Sequence, residues 1–297
     1  MIYEYAISPE LFADYRDVQL LQASFGKGYG RLFSKVPKKE WLKDVLRVIK
    51  ESGNQPVMRE RLKAAAKKLV RYAGYMRVEQ PDTIQTHWLD SILQAHSKRP
   101  FHAILVREYS GSVPEILVND FTLQDQDLWK VSSTLRIARS ADKMVEAIRP
   151  MLECAREIIL IDRNFKPDES RFVNVLIKIF KTISAREHGS DISKITYHLG
   201  DNWGVDHLQM TCEGKLAHKI PCEMRLDIVT RPWDELHDRF ILTDIGGVEF
   251  GVGLDESLGG GVPEVRIKLM PEEDHREEWK RAHKADITFS IASTLGE

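Results

Sequence analysis

The most constraining feature of this chain is a regular alternation of helical and strand-like patterns between residues 140 and 270. Short apolar runs rich in Ile, Leu and Val each follow a stretch with helical spacing. The helices are predicted at Ser140–Ala155, Asp168–Arg186 and Asp206–Lys219, and the strands at Glu157–Asp162, Lys194–Leu199 and Met224–Thr230. Such alternation favours an α/β layer structure with a mostly parallel sheet flanked by helices. Sites in these sheets gather at the carboxyl ends of the strands.

The residues before this region show a different pattern and predict a helical N-terminal domain. Its candidate helices include Lys39–Ser52, Val57–Tyr72 and Thr83–Ser97. The apolar runs His102–Arg107 and Glu115–Asn119 then predict a hairpin. The polar stretch Leu123–Arg139 predicts a linker. The expected organisation is a basic helical domain at 1–98, a hairpin and linker at 99–139, and an α/β domain at 140–297.

Charge is distributed unevenly along the chain. The formal net charge is only −2, yet fifteen Lys and Arg residues stand against four acids between Lys27 and Arg77. This asymmetry indicates contact with a polyanion. The candidate contacts in this region are Lys63, Lys67, Lys68 and Arg71. Four aromatic residues are interleaved with these Lys and Arg residues: Tyr29, Trp41, Tyr72 and Tyr75. They could stack on the bases of nucleic acid, or they could equally belong to the core of a helical bundle.

Composition excludes several classes of protein. No apolar run reaches the roughly 18 residues that a membrane-spanning helix needs, and the acidic start Met1–Tyr5 differs from a secretory signal. The cysteines have no C-x-x-C spacing and the histidines no metal-ligand pattern. A cytoplasmic protein without metal or cofactor is expected.

A H-x-R-x4-D string formed by His237, Arg239 and Asp244 carries the strongest chemical signal. In an extended segment His237, Arg239 and Ile241 share one face. An imidazole and a guanidinium that point to one spot suit a phosphate, because the imidazole can attack or donate a proton while the guanidinium neutralises the oxygens. Two alternatives remain: His237 is a hydrogen-bonded core histidine, or Arg239 pairs with Asp255 or Glu256.

This string resembles the H-x-K-x4-D signature of the phospholipase D superfamily of lipases, nucleases and phosphodiesterases. The stretch from Glu157 to about Met270 is similar to one half of such an enzyme. The resemblance implies that His237 is a nucleophile, that Arg239 holds phosphate, and that Asp244 supports the strand and its network. Arg239 replaces the usual lysine. Val252 and Leu254 replace the Ser and Asn that hold phosphate oxygens.

A divergent branch of that superfamily matches this sequence better, because it reads H-D-R and then G-x-G-L-D, as residues 237–239 and 251–255 do here. This pattern resembles that of the C-terminal phospholipase-D-like domain of the MIT-domain-containing cytokinesis protein, which is a membrane-binding domain. Bacterial proteins of similar pattern occur among mobile-element and phage-defence genes. Four further residues are candidates for the same phosphate site: Asp162, Asn164, Asp255 and Glu256.

Three functions follow from these observations. The first is binding of a nucleic-acid phosphate backbone by a phospholipase-D-like domain with a degenerate motif, together with partner proteins of a prokaryotic defence or mobile-element system. The second is a metal-independent nuclease in which a homodimer joins two copies of His237, since the two-step mechanism needs two histidines. The third is binding to anionic membranes, which is the least favoured.

Overall fold

The structure is a computed structural model that describes residues 1–75, 80–186, 192–257 and 261–294. The chain divides into two compact units, Ile2–Ser132 and Ser133–Glu297. Each unit has its own sheet, of five strands in the first and eight in the second. The α/β fold class predicted from the alternation of patterns is therefore confirmed.

The N-terminal unit is built on a parallel sheet with the order β3-β2-β1-β4-β5. Every neighbouring pair in this sheet is parallel. The strands are β1 (Tyr3–Ile7), β2 (Arg31–Ser34), β3 (Gly74–Tyr75), β4 (Ala103–Val106) and β5 (Ile116–Val118). The helices are α1 (Tyr15–Ser24), α2 (Trp41–Glu51), α3 (Pro56–Ala73) and α4 (Trp88–Lys98).

Helices cover both faces of this sheet. On one face Phe33 of β2 contacts the indole of Trp41 in α2, with ring centroids 5.2 Å apart. On the other face Ala6 of β1 packs in a cluster with Ile92 and Ala95 of α4. Successive side chains of a strand point to opposite faces, so α2 and α4 lie on opposite sides of the sheet. This is a doubly wound arrangement.

The prediction of a purely helical domain at 1–98 is therefore corrected, since β1, β2 and β3 lie within it. These strands have two to five residues, too few to display a period-2 pattern. The predicted hairpin after residue 99 is also wrong, because β4 and β5 pair in parallel. Both strands are largely buried, and a short apolar run does not reveal the direction of its partner.

The C-terminal unit contains a mixed sheet with the order β13-β9-β8-β7-β10-β11-β12-β6. Its strands are β6 (Thr134–Ala138), β7 (Ile158–Ile161), β8 (Lys194–Gly200), β9 (Arg225–Arg231), β10 (Phe240–Thr243), β11 (Gly246–Phe250), β12 (Glu264–Leu269) and β13 (Phe289–Ala292). Its helices are α5 (Ala141–Cys154), α6 (Ser170–Ser184), α7 (Val205–Leu216) and α8 (Glu272–His283).

Only the central strands of this sheet are parallel to one another. The β7–β8 and β8–β9 pairs are parallel, whereas the remaining pairs are antiparallel. The sheet is thus mixed rather than mostly parallel as predicted. The predicted linker also contains β6, which pairs with β12.

Apolar burial fixes the central strands in place. All four residues of β7 are buried, and the sequence from Ile158 to Ile161 has no polar position. On one face of the sheet Ile161 and Phe240 pack in a cluster with Ala282 of α8. Each large apolar side chain buried in this way contributes on the order of 2 kcal/mol.

Two general features of the described residues bear on function. No helix among them is both long enough and apolar enough to cross a membrane. Within the same ranges, no three His, Cys, Asp or Glu side chains are grouped so that they could hold a metal ion.

Candidate functional site

Three parallel strands define the edge of the C-terminal unit at which the candidate site lies. β7, β8 and β9 all end at this edge, and the segments that follow them begin at Asp162, Asp201 and Pro232. The antiparallel pairing of β10 with β7 brings the start of β10 to the same edge, since Phe240 lies opposite Ile161. Loops that are far apart in sequence therefore converge here.

A pocket of about 320 Å³ opens among these loops. Its walls combine cationic, aromatic and amide side chains. They comprise Arg139, Arg163, Asn164, Phe165, Lys166, Arg171, Phe172, Asn202, Trp203, Trp233, Val252 and Asp255. Four of these side chains are cationic and one is a carboxylate. Asp255 and the neighbouring Glu169 compensate three of these cations, so the positive charge that favours an anionic ligand is that of Arg163.

Two of the four cations are held by the carboxylate of Asp255, which is only 2% exposed. Arg139 forms an ion pair with it, and the Nη1 atom of Arg171 lies 3.1 Å from its Oδ2 atom. Arg171 is held from its other side by Glu169, whose Oε2 atom accepts a 2.7 Å hydrogen bond from its Nε atom. Arg139 and Arg171 are consequently fixed in position and largely neutralised.

Arg163 is the cation least compensated by neighbouring groups. Its guanidinium carbon lies 4.8 Å from the ring centroid of Trp233, so it stacks on the indole. Its Nε atom is buried and has no hydrogen-bond partner in the described part of the chain. Buried N–H groups are nearly always satisfied in folded proteins. The guanidinium of Arg163 therefore keeps a donor that no described residue uses.

A glycine at the end of β8 permits the stack between Arg163 and Trp233. A Cβ atom built on Gly200 would lie 2.5 Å from the Cε3 atom of Trp233 and 3.1 Å from the backbone oxygen of Arg163. Such contacts are far inside van der Waals range. The close approach of the indole to the β8 backbone therefore requires glycine.

The carboxylate of Asp162 connects two of the loops that surround the pocket. Its side chain is fully buried. Its Oδ2 atom accepts a 2.8 Å hydrogen bond from the backbone N–H of Leu254, and its Oδ1 atom accepts one of 2.9 Å from that of Asn164. Burial raises the pKa of this carboxyl, and these two hydrogen bonds oppose the rise. Asp162 therefore ties the 163–166 loop to the 251–255 loop, and a ligand does not need to touch it.

The H-x-R-x4-D string is placed differently from the sequence expectation. β10 begins at Phe240, so His237 and Arg239 precede the strand instead of sharing one of its faces. His237 is exposed, and its ring forms no hydrogen bond with any described residue. Its backbone oxygen accepts a 3.1 Å hydrogen bond from Nη1 of Arg239. Neither His237 nor Arg239 lines the pocket.

Arg239 faces Asp162 instead of the acids proposed from the sequence. Its Nε atom lies 3.9 Å from Oδ1 of Asp162, and its side chain is 19% exposed. The proposed pairing with Asp255 or Glu256 is wrong. Asp255 holds the two arginines described above. Glu256 accepts hydrogen bonds from the backbone N–H of Ala141 and from the side chain of Asn174.

Asp244 lies at the other end of β10 from Arg239. Its Oδ1 atom accepts hydrogen bonds of 2.7 and 3.4 Å from the backbone N–H groups of Arg156 and Glu157. These two residues lead into β7. Asp244 therefore supports the start of a central strand, and the length of that strand separates it from the pocket.

The basic residues proposed for polyanion contact lie on α3 in the N-terminal unit. Lys67, Lys68 and Arg71 are exposed, and no ion pair within the described ranges neutralises them. Lys63 is compensated by Glu60, with a 2.8 Å separation. Exposed cations without partners keep the capacity to meet phosphates.

The aromatic residues among these basic residues were expected either to stack on nucleic acid or to belong to the core, and the structure shows both buried and exposed examples. Trp41 is fully buried and belongs to the core, whereas Tyr29 and Tyr72 are 57% and 47% exposed. Arg77 and the side chain of Tyr75 lie outside the described residues.

Sequence reasoning missed most of the residues that form the pocket. Of the proposed candidates, Asn164 and Asp255 line it, but Arg163, Trp203 and Trp233 were not singled out. These three follow β7, β8 and β9 within a few residues. Cationic and aromatic residues just after each predicted parallel strand were the sequence signal that could have indicated them.

Comparisons with known proteins give structural similarities only. No protein-family model and no curated protein matches the sequence. One similar structure is Nuc, a phospholipase D family member from Salmonella typhimurium, with a TM-score of 0.34 and 11% identity over 52% of this chain and 97% of that one. Another is TrmBL2, an archaeal chromatin protein described as showing a novel mode of DNA binding, with a TM-score of 0.27 and 15% identity over 85% of this chain and 84% of that one. Similarities of this size identify neither a family nor a function for this chain.

Proposed function

We propose that this protein binds the phosphate backbone of nucleic acid through the pocket at the carboxyl edge of β7, β8 and β9. The observation that carries the proposal is the stacked guanidinium of Arg163. Its buried Nε–H has no partner among the described residues, whereas the other three cations of the pocket are compensated by Asp255 and Glu169. A planar guanidinium matches phosphate oxygens in both charge and geometry.

Aromatic side chains of the same pocket favour nucleic acid over a free inorganic anion. Trp203 and Trp233 both line it. Trp203 stacks on His207 at an interplanar angle of 13°, with centroids 5.4 Å apart. Indole surfaces beside cations suit an unpaired base next to its phosphate. We therefore expect single-stranded nucleic acid to bind more tightly than duplex.

The exposed cations of α3 provide a second, sequence-independent contact in this proposal. Lys67, Lys68 and Arg71 resemble a backbone-tracking surface more than a recognition site, because lysine and arginine on a helix face contact phosphates without reading bases. The pocket and α3 would then both contribute to affinity for a long strand.

Replacement of Arg163 by an uncharged residue tests whether nucleic acid binds in this pocket. Arg163→Gln should weaken binding of a fluorescein-labelled single-stranded DNA of about 20 nucleotides at least tenfold in fluorescence anisotropy, since a hydrogen bond to a charged group contributes ~1.5–3 kcal/mol. Arg266→Gln is the matched control, because Arg266 is exposed on β12 and does not line the pocket. Equal affinity of the two variants and the parent protein would exclude the pocket as the binding site.

A nuclease with His237 shared between two copies is the second candidate. The observation in its favour is that the His237 ring is exposed, as a site completed by another chain requires. Cleavage of labelled DNA or RNA in EDTA that disappears in His237→Ala would support this reaction. Cleavage that persists in His237→Ala would assign it to other residues. A role in a prokaryotic defence or mobile-element system is a prediction from the sequence resemblance alone.

A further inference from the structure

The strand order of the N-terminal unit marks a second place for a ligand. From β1 the chain builds the sheet outward through β2 and β3 on one side, and then returns to place β4 and β5 on the other side. β1 and β4 are therefore the neighbouring strands at which the winding reverses. In doubly wound sheets, ligands bind outside the carboxyl ends of the strands at this switch point.

A pocket of about 660 Å³ lies at this switch point. Ser8 and Pro9 follow β1, Val106 ends β4, and Trp88 begins α4; all four residues line the pocket. Ser8 and Val106 are each only 4% exposed, so the floor is formed by the strand ends themselves. A volume of this size suits a small organic ligand.

Carboxylates dominate the charge of this pocket. Asp44 is paired with Arg47 at 2.6 Å, and Glu40 is paired with Lys43 at 2.8 Å. Glu10, Asp90 and Glu108 also line the pocket and form no ion pair with any residue that the structure describes. The chain after β1 reads Ser8-Pro-Glu-Leu11 and has no glycine-rich phosphate loop. Both features oppose a ligand that carries phosphate.

Two buried serines add hydrogen-bond donors to these acceptors. Ser91 is fully buried, and its Oγ atom accepts a 2.9 Å hydrogen bond from the backbone N–H of Gln85. The Oγ atom of Ser8 accepts one of 3.3 Å from that of Glu10. Neither hydroxyl donates to an acceptor in the ranges that the structure covers. Both residues line the pocket, so their hydroxyl groups are the candidate donors to a ligand.

We propose that this pocket binds a small ligand through a vicinal diol, as found in the ribose of a nucleoside or in a monosaccharide, without an attached phosphate. Hydroxyl groups of a diol donate to carboxylates and accept from serine hydroxyls at the same time, which neither a cation nor a phosphate does. The indole of Trp88 is held by a 2.9 Å hydrogen bond from its Nε1 atom to the backbone oxygen of Val36. It supplies a fixed aromatic surface for the ring of the ligand.

Isothermal titration calorimetry of the protein, with both units present, tests this proposal. The probes are adenosine, uridine, ribose and glucose at up to millimolar concentration, with 2′,3′-dideoxyadenosine and adenosine monophosphate as comparison ligands. At least one diol should bind. Among nucleosides, loss of the diol or addition of the phosphate should weaken binding at least tenfold. Binding of nucleosides without ribose or glucose identifies a nucleoside site, and the reverse identifies a monosaccharide site.

Variants in which a carboxylate of the pocket is replaced by the corresponding amide test whether the diol binds in this pocket. Asp90→Asn and Glu108→Gln should each weaken binding of the diol about tenfold, because each removes a charged acceptor. Glu51→Gln is the matched control, since Glu51 is exposed on α2 and does not line the pocket. All three residues to be changed lie on the surface, so folding should be preserved. The proposal is overturned if no diol binds, if dideoxyadenosine binds as tightly as adenosine, or if both pocket variants bind like the parent protein.

Discussion

At the scale of single residues, the chemistry of the C-terminal unit depends on which side chains keep unsatisfied hydrogen-bonding groups. Arg139 and Arg171 share the buried carboxylate of Asp255, whereas Arg163 stacks on an indole and keeps a buried donor with no partner among the described residues. A motif search weighs all arginines equally. The position of a partner carboxylate decides which of them can serve a ligand.

The ring of His198 is a second group whose surroundings determine its behaviour. It is 1% exposed on β8, and neither ring nitrogen has a hydrogen-bond partner in the described ranges. Burial, with a smaller contribution from the charge of Arg231, lowers the pKa of His198 to about 4. The ring is therefore neutral in the folded protein at neutral pH.

This shift predicts a loss of stability in mild acid. Between pH 6.5 and about pH 4 the unfolded chain binds a proton at His198 that the folded chain does not, so the free energy of unfolding falls as the pH is lowered. The loss from this one residue should be on the order of 3 kcal/mol across the interval. Urea denaturation at neutral pH and at two mildly acidic values measures it. His198→Leu should show a flatter dependence, and an unchanged slope would show that other groups govern the effect.

Gly200 allows a second prediction at this scale. Gly200→Ala places a methyl group 2.5 Å from a ring carbon of Trp233. Displacement of the indole should destabilise the protein by ~1–3 kcal/mol and weaken DNA binding, because Arg163 loses the surface on which it stacks. Gly214→Ala is the control, since a Cβ atom there meets nothing within 4 Å. It should stabilise α7 by up to ~1 kcal/mol. Urea denaturation and anisotropy measure both variants.

At the scale of elements, local patterns identified most helices and the central strands of the C-terminal unit. These strands, β7, β8 and β9, have four to seven residues and lie between clear helical segments. The directions and partners of other strands were not accessible. β4 and β5 have the pattern of a hairpin but pair in parallel. β6 has the pattern of a linker but pairs with β12, more than a hundred residues away, and such a partner leaves no local signal.

The α3 helix carries a prediction of its own. Replacement of Lys67, Lys68 and Arg71 by Gln should reduce the slope of log affinity against log salt concentration, by ~0.7 for each phosphate of a single strand that is no longer neutralised. The slope is obtained from anisotropy titrations with labelled single-stranded DNA over a series of salt concentrations. Gln replacement of Arg276, Lys280 and Arg281 on α8 removes the same charge elsewhere and serves as the control. If both triple variants give the same slope, α3 does not contact the strand.

At the scale of the whole molecule, the basic stretch and the candidate anion pocket belong to different units. The basic stretch lies within residues 2–132, and the candidate anion pocket lies within residues 133–297. Each unit has its own sheet and its own buried core. Independent folding of each unit is therefore expected.

Expression of residues 133–297 alone tests this independence. The fragment should unfold cooperatively in urea and retain DNA binding that is sensitive to Arg163→Gln. Its salt dependence should be weaker than that of the full chain, because the α3 cations are missing. Circular dichroism and anisotropy give these two results. A fragment that is unfolded at low urea would show that the two units depend on each other for stability.

The sequence by itself determined the α/β class, the central strands of the C-terminal unit, and the convergence of the following loops at the carboxyl ends of these strands. These properties follow from hydrophobic periodicity and from the geometry of parallel strands, both of which act over short segments. Only the tertiary structure decided that β10 begins after Arg239, that Asp162 and Asp255 are engaged in internal hydrogen bonds and ion pairs, and that Arg163 stacks on Trp233 without a carboxylate partner among the described residues. Those outcomes depend on burial and on hydrogen bonds between loops that are far apart in the sequence.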